Sequence, residues 1–435
     1  MNTLRKFSLA LGDIIVFYLS FNITLFLGFG NQLKAEIYKS HLFPFLILYL
    51  GWFLLLYIFN LYDLDAIKPK LKFLSRTLGA LLACGIIGII FFYLFPIFGI
   101  TPKTNLVINL ISFGILFIIW RQLFYNLFSS HFIQRLAVVG RNNLSEKLIS
   151  EIKENPQHGY QIVGFINLKK NILKQIKEKK IDVLVVAKDF YNQPHFVQEL
   201  YKSLSYGVRL WNLGETYETI FKKIPIDFIN KTWLLENLKS QSDLLYSFVK
   251  RFFSIIGSLF VIILTSPVWL IIALAIKIED RGPIFYKQKR VGLNEKDFYL
   301  YKFRSMKEEA EKDGPQWAQK KDNRITRVGR ITRRLHLDEL PQMINVLKGD
   351  ISMVGPRPER PTFVKQLKKE IPHYSLRHIV KSGFTGWAQI KYHYARSLKD
   401  SHEKFQYDLY YIKNRNLLLD FGILLKTIQI IFKKS

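Results

Sequence analysis

Apolar side chains run almost without interruption through four stretches of the first 130 residues: Phe7–Phe29, Leu42–Tyr62, Leu78–Phe98 and Leu106–Phe128. Each meets the roughly 20 residues a helix needs to cross a bilayer's hydrocarbon core. The pattern predicts four transmembrane helices over residues 1–130. The first is too long for a signal peptide's apolar region and lacks a small-residue cleavage site, so it reads as a retained span. Asp13 lies inside it, one to two turns from its start. An intramembrane carboxylate can mark a transport path, but one so near a helix end reads as structural or interfacial. The other three spans carry no charge at their centres, which argues against an ion-coupled transporter.

Between about residues 135 and 240 the period changes. Leu136–Gly140 and Ile181–Ala187 read as buried parallel strands, and Ile162–Ile166 and Val208–Leu213 as further ones. Charged amphipathic stretches such as Leu144–Lys153 separate them. This βαβ alternation predicts a Rossmann-like (CoA-binding-like) α/β domain over 131–245. Its first turn, Gly140-Arg-Asn-Asn-Leu-Ser145, lacks the second and third glycines that let backbone approach a pyrophosphate. The domain therefore reads as a structural or dimerising module, which leaves a homodimer open.

Phe252–Ile276 then runs for 25 residues without a charge, with Ser266-Pro267 near its middle. Proline there removes a helical hydrogen bond and clashes with the preceding turn. Lys250 and Arg251 precede the stretch, and Lys277, Arg281, Lys287, Lys289 and Arg290 follow it. Both ends thus favour the cytoplasm. The pattern predicts a re-entrant membrane helix over 251–277, broken at Ser266-Pro267; a kinked span is the alternative. The tail Leu417–Phe432, apolar apart from Asp420 and Lys426, is short for a span. It reads as an interfacial helix, with a buried core helix as the alternative.

Composition narrows the partners. The chain has 435 residues, allowing two to four domains at roughly 100–200 residues each. One cysteine excludes an intramolecular disulfide framework and argues against a cysteine-based zinc site. The net charge of +29 suits nucleic acid or an anionic membrane surface. No nucleic-acid-binding signature accompanies it, and the 36 Phe and 22 Tyr lie mainly in hydrophobic runs. No nucleic-acid partner is expected, and the charge reads as facing phosphates of lipids and of a charged substrate. Arg5 and Lys6 before span one, and Lys68, Lys70, Lys72 and Arg76 after span two, outnumber Lys34, Lys39 and Lys103 in the opposite loops. Both ends of the four-helix bundle are therefore expected in the cytoplasm.

Candidate chemistry concentrates after Ile276. Phosphate handling needs guanidinium and ammonium groups to hold spread negative charge, and carboxylates to hold Mg²⁺ or attack phosphorus. Lys302-Phe-Arg304-Ser-Met306 offers two cations on alternate residues, and Arg324, Arg327, Arg330, Arg333 and Arg334 follow. Leu337, Leu340, Ile344 and Leu347 then fall at helical spacing, with Asp338 and Glu339 near the helix start. By spacing alone that pair is also an ordinary acidic first turn. Gly355-Pro-Arg357-Pro-Glu-Arg360-Pro361 presents two arginines in a rigid loop, and Lys381–Gln389 is a further glycine-containing loop.

The order of the parts is more specific than any one of them. Ser266-Pro267, Gly282-Pro-Ile-Phe-Tyr-Lys-Gln288, Lys302–Met306, Leu337-Asp-Glu-Leu-Pro-Gln342, Val354-Gly-Pro-Arg-Pro358 and Thr385-Gly-Trp-Ala-Gln389 follow one another. From about Lys250 to the C-terminus the chain resembles the bacterial sugar transferases, the monotopic phosphoglycosyl transferases. With its N-terminal spans it is similar to their long form, the polyprenyl glycosylphosphotransferases that start exopolysaccharide, capsule or O-antigen repeat units. The resemblance implies a membrane α-helical plus α/β fold, ending in a mixed α+β catalytic domain over 246–435 with the re-entrant helix. It implies transfer of a hexose-1-phosphate, glucose or galactose first, from a UDP-sugar to polyprenyl (undecaprenyl) phosphate with release of UMP. It implies Asp338 as the attacking carboxylate forming a covalent phospho-sugar intermediate, Glu339 as a ligand of Mg²⁺, and a bacterial inner-membrane location with the catalytic and Rossmann-like domains cytoplasmic. Lys302, Arg304, Arg334 and Arg357 match family positions as the phosphate clamp. The sequence departs from the commoner pattern at Ser382 and over Ile390–Arg396, where Arg396 stands as a shifted replacement for a family arginine. The alternatives are a non-catalytic scaffold or regulator of polysaccharide assembly, and a flippase, which would want polar residues deep in several spans.

Overall fold

The computed structural model describes residues 2–63, 71–95, 103–130, 133–155, 158–168, 170–237, 244–307, 322–392 and 397–432. The chain divides into two compact units, Met1–Thr216 and Tyr217–Ser435.

The first unit opens with four long apolar helices, α1 (Asn2–Phe29), α2 (Ala35–Ile58), α3 (Leu71–Leu94) and α4 (Lys103–Ser130), each long and apolar enough to cross a membrane. Lys68 and Lys70, counted above for orientation, lie outside the described residues. Aromatic rings fill the space between the helices. Phe17 stacks on Tyr49 at 4.5 Å and on Phe113 at 4.8 Å. Buried polar groups pair across helices: Trp52 Nε1 donates to the Cys84 carbonyl (3.0 Å), and Asn109 Nδ2 to Tyr49 Oη (2.7 Å). Asp13 meets Arg121 at 2.8 Å, both side chains fully buried, and the guanidinium lies 4.2 Å from the Phe117 ring centre. Asp13 is thus one half of an α1–α4 ion pair, a structural role whose partner the span pattern did not single out.

Stranding one buried charge costs far more than removing both. Arg121→Leu is expected to destabilise this unit by about 3–5 kcal/mol, and Asp13→Leu/Arg121→Leu to recover most of it. Thermal midpoints of the detergent-purified variants check this, and a double variant as unstable as the single one contradicts it.

Four parallel strands follow, β1 (Gln134–Val139), β2 (Tyr160–Phe165), β3 (Val183–Val186) and β4 (Arg209–Asn212), in the order β2-β1-β3-β4. All four match the strands predicted from the apolar runs. Helices α5 (Asn143–Glu154), α6 (Ile172–Lys179) and α7 (Pro194–Leu204) alternate with them. At the first turn Gly140 has φ +89°, and Asn142 caps α5 in a reciprocal pair with Ser145. The Phe190 ring packs against Gly140, where a Cβ would overlap it. An aromatic side chain therefore covers the turn that a pyrophosphate approaches in dinucleotide-binding folds.

Helices α8 (Leu213–Phe221) and α9 (Lys231–Asn237) lead to α10 (Leu244–Asp280). An antiparallel hairpin, β5 (Phe285–Val291) and β6 (Asp297–Phe303), comes next, then α11 (Arg327–Arg334) and α12 (Gln342–Lys348). In the short parallel pair β7 (Ser352–Val354) and β8 (Gly383–Thr385), α13 (Pro361–Glu370) lies between the strands, and α14 (Trp387–Lys391), α15 (Leu398–Asn414) and α16 (Leu417–Phe432) follow.

Two expectations change here. The backbone of α10 stays helical throughout, with Pro267 inside it, so no residues leave the helix at Ser266-Pro267. Pro267 cannot donate to the Ile263 carbonyl four residues back. Ser266 Oγ donates to that carbonyl instead (2.8 Å), which keeps it satisfied in an apolar setting. The second change concerns Leu337–Leu347, which is not one helix. A 3₁₀ turn over Leu337–Glu339 precedes Pro341, and α12 starts only at Gln342. Met343 and Val346 carry its core face with Leu300 and Ile351, whereas Leu337 and Leu340 pack towards Phe303. In α16, Asp420 and Ile423 are buried while Leu418 and Phe421 are exposed, so it combines a core face with an apolar exposed one.

Candidate active site

Side chains alternate along a strand, so Tyr286, Gln288 and Arg290 share one face of β5. Lys302 of β6 is paired opposite Tyr286 and shares that face. This face forms one wall of a cavity of about 430 Å³ that Asp338, Glu339, Arg304, Arg333, His336 and Arg360 also line. His336 is left-handed (φ 55°), a conformation His tolerates better than most residues. It ends α11 and delivers the chain into the turn that carries the two carboxylates.

The adjacent carboxylates have opposite surroundings. Asp338 is 6% exposed, and among the described residues no hydrogen bond or ion pair reaches its carboxylate. Burial pushes its pKa up, and the like charge of Glu339 adds to this against the pull of Lys302. Glu339 Oε1 accepts from Lys302 Nζ (2.9 Å) and from Arg357 Nη2. Burial works against the ionised form of Glu339 too. Arg357 and Lys302 outweigh it and hold that carboxyl well below the usual range. Because α12 begins only at Gln342, these two cations, not a helix N-terminus, hold the negative charge.

Arg357 is placed by the β7–β8 pair. Ser352 is registered with Gly383 and Val354 with Thr385, so two loops that read as separate motifs are one structure. Their glycines permit a close backbone crossing, since a Cβ on Gly383 would overlap the Gly355 backbone nitrogen. Gly383→Ala is accordingly expected to cost about 1–3 kcal/mol and to lower activity in proportion to folded protein. A thermal melt beside an activity titration checks this, and an unshifted midpoint contradicts it. Behind the loop, Arg377 donates to the Arg357 carbonyl (2.8 Å) and pairs with Asp408 (3.0 Å).

The fold brings together only some of the predicted residues. Asp338, Glu339, Lys302 and Arg357 come together. Arg304 lines the cavity, but it is buried and its charge is matched by Asp280. Arg334 is exposed at the end of α11 and does not line the cavity; its neighbour Arg333 does, with Nε donating to Ser305 Oγ (2.8 Å). Arg396 lies outside the described residues. Ser266 and Pro267 lie in α10. Ser382, a departure from the family pattern, is buried at the β7–β8 junction, where its carbonyl accepts from the Ser352 N–H (2.8 Å).

Tyr286 and Gln288 reach the cavity through a period-two pattern already present in Gly282–Gln288, and Arg290, which the sequence offered only as a cation flanking the apolar stretch, continues the same face. Arg290 donates to Gln288 Oε1 (2.9 Å) and to the Pro358 carbonyl (2.9 Å). Burial pushes it down to about 10, with Glu359 opposing and Arg357 and Arg360 adding.

Residues 245–434 match the family described as bacterial sugar transferase. The chain is 45% identical over 224 residues to a UDP-N-acetylgalactosamine-undecaprenyl-phosphate N-acetylgalactosaminephosphotransferase of Aeromonas hydrophila, covering 52% of each. It is 30% identical over 319 residues to a UDP-glucose:undecaprenyl-phosphate glucose-1-phosphate transferase of Xanthomonas campestris pv. campestris, covering 68% of this chain and 66% of the relative. A protein of the same description from Caulobacter vibrioides is 38% identical over 188 residues, 41% of this chain and 68% of the relative. The chain thus spans between half and two thirds of the length of the first two relatives.

Proposed function

The chain belongs to the bacterial sugar transferase family, and on that premise we propose that it transfers a sugar-1-phosphate from a UDP-sugar to polyprenyl (undecaprenyl) phosphate, releasing UMP. The observation that carries this reading is the pairing of a clamped Glu339 with a buried, unbonded Asp338 in one cation-lined cavity. Neighbouring carboxylates with pKa values pushed apart suit different roles.

In the first step an Asp338 carboxylate oxygen attacks the sugar-bearing phosphorus. The bond from that phosphorus to the bridging oxygen breaks, and UMP leaves with the electron pair. In the second, a phosphate oxygen of the lipid attacks the same phosphorus and expels the Asp338 carboxylate, so one displacement becomes two. One diphosphate replaces another, which leaves positioning as the main demand. Lys302 and Arg357 hold Glu339, and Arg333 and Arg290 bring cationic charge to the cavity wall for the diphosphate.

The residues fit Mg²⁺. Lys302 and Arg357 both bind Glu339 Oε1, and among the described residues no bond reaches Oε2. Mg²⁺ is commonly held by one or two carboxylates plus substrate phosphates. Glu339 would hold it, and when bound it would neutralise charge on the diphosphate.

We read α1–α4 as a four-helix transmembrane bundle over 1–130, the parallel-sheet region as the Rossmann-like domain over 131–245, and 246–435 as the catalytic domain. The inner membrane, with both soluble parts cytoplasmic, is the location consistent with the loop charges. A re-entrant α10 is supported by its contacts along both halves. Arg251 donates to the Leu347 carbonyl (2.7 Å), while near the other end Glu279 accepts from the Arg327 N–H and Asp280 pairs with Arg304. A helix crossing the bilayer would carry one of these ends away from the domain. With α10 re-entrant, the cavity sits at headgroup depth, where the lipid phosphate lies.

The test is UMP release from the full chain in nanodiscs with Mg²⁺, undecaprenyl phosphate and UDP-glucose, UDP-galactose or UDP-N-acetylgalactosamine. Release with one of them supports the reading. No release with any UDP-sugar or other nucleotide-sugar from folded protein turns it towards a scaffold.

A further inference from the structure

A second cavity, of about 220 Å³, lies where α10 begins, and it shares no lining residue with the first. Four cationic side chains line it: Lys250 and Arg251 of α10, Lys381 before β8, and Arg415 between α15 and α16. Two of them are already engaged. Lys250 pairs with Asp420 (3.0 Å), whose oxygens also accept from Tyr246 and Tyr411. Arg251 donates to the Val346 and Leu347 carbonyls at the end of α12.

The other two are not. Among the described residues no hydrogen bond or ion pair reaches the Lys381 amine or the Arg415 guanidinium, although both are half-buried. Burial, and then Arg251, pushes the Lys381 amine below its ordinary value. Asp350 opposes that shift without forming an ion pair, and half-buried cations with no anion bound to them are costly in a folded protein unless a ligand supplies the charge.

The setting indicates which anion. Phe248, Phe252 and Phe253 of α10 and Leu418 and Phe421 of α16 are exposed within a few residues of the cavity-lining groups. Cations beside exposed apolar side chains suit a ligand that is anionic at one end and apolar at the other.

We propose that this cavity binds the phosphate of a membrane phospholipid headgroup, with Lys381 and Arg415 as its free cations and the acyl chains along the exposed apolar side chains. The site is separate from the transfer cavity, and it rests on the membrane reading of α10 alone. A bound headgroup would fix the depth at which α10 enters the bilayer.

The experiment uses the full chain carrying Asp338→Asn, so that turnover plays no part and failure of the transfer reading is scored separately. Dioleoyl phosphatidylglycerol, dioleoylglycerol, inorganic phosphate and undecaprenyl phosphate are titrated in detergent and followed by native mass spectrometry and thermal midpoint. One phosphatidylglycerol is expected to stay bound and to raise the midpoint, as a ligand of the native state must, while dioleoylglycerol does neither. Lys381→Gln/Arg415→Gln should weaken that binding about tenfold or more, with the lipid-free midpoint held or raised because two unpaired cations are gone. Equal lipid binding by the double variant overturns the proposal. So does inorganic phosphate that binds as tightly as the lipid, or binding confined to undecaprenyl phosphate, which would assign the cavity to the reaction.

Discussion

Asp338→Asn is expected to abolish UMP release, by about 10³-fold or more, because the amide cannot attack phosphorus and the two-step route is lost. The same substitution should raise the thermal midpoint. A carboxyl whose folded pKa lies above its unfolded one costs stability at every pH where it is ionised, and burial places Asp338 in that class. Asn removes the cost. Loss of activity with a raised or equal midpoint is the signature of a nucleophile, whereas equal loss of both marks a structural residue. Full activity of Asp338→Asn would remove the carboxylate from the mechanism.

In the wild type this shift also sets the acid limb of the pH profile. The attacking group must be ionised, so activity should fall as pH drops through a value above the ordinary aspartate range. Raising the pH restores it.

Glu339→Gln is the second large effect, about 100-fold in turnover. It removes the anion that holds Lys302 and Arg357 together and, on the proposed reading, the carboxylate that binds Mg²⁺. The Mg²⁺ needed for half-maximal rate should therefore rise along with the loss. The residual activity carries a further sign: without the like charge of Glu339, and with two cations released, Asp338 should ionise more readily. Its acid limb then moves to lower pH. A Mg²⁺ titration and a pH–rate profile of the variant check both. An unchanged Mg²⁺ requirement would leave Glu339 as a charge clamp alone, and an acid limb moved upward would contradict the electrostatics.

These effects follow from contacts that a linear pattern carries unevenly. Hydrocarbon thickness fixes how many apolar residues a span needs, so four helices could be read from the chain with errors only at their ends. The α3 helix starts seven residues before the apolar stretch at Leu78. A buried parallel strand has no solvent face, so an uninterrupted apolar run marked β1 and β3 directly. The ordered motifs were legible because each includes a glycine, proline or charge whose type is hard to replace. Helical spacing failed at Leu337–Leu347 because Pro341 separates a 3₁₀ turn from α12, and that break moved the buried face to Met343 and Val346.

Sequence by itself determined the local periods, the basic balance, the Asp338-Glu339 pair and the family resemblance. Tertiary structure decided who meets whom. Arg121 finds Asp13 from 108 residues away, Lys302 and Arg357 reach Glu339 from 37 and 18, and Arg333 lines the cavity where Arg334 does not. The physical reason is range. Backbone sterics and alternation of burial repeat over a few residues and leave a pattern in the chain. An ion pair depends only on a separation of about 3 Å in space, and nothing in the spacing of its members along the chain records it.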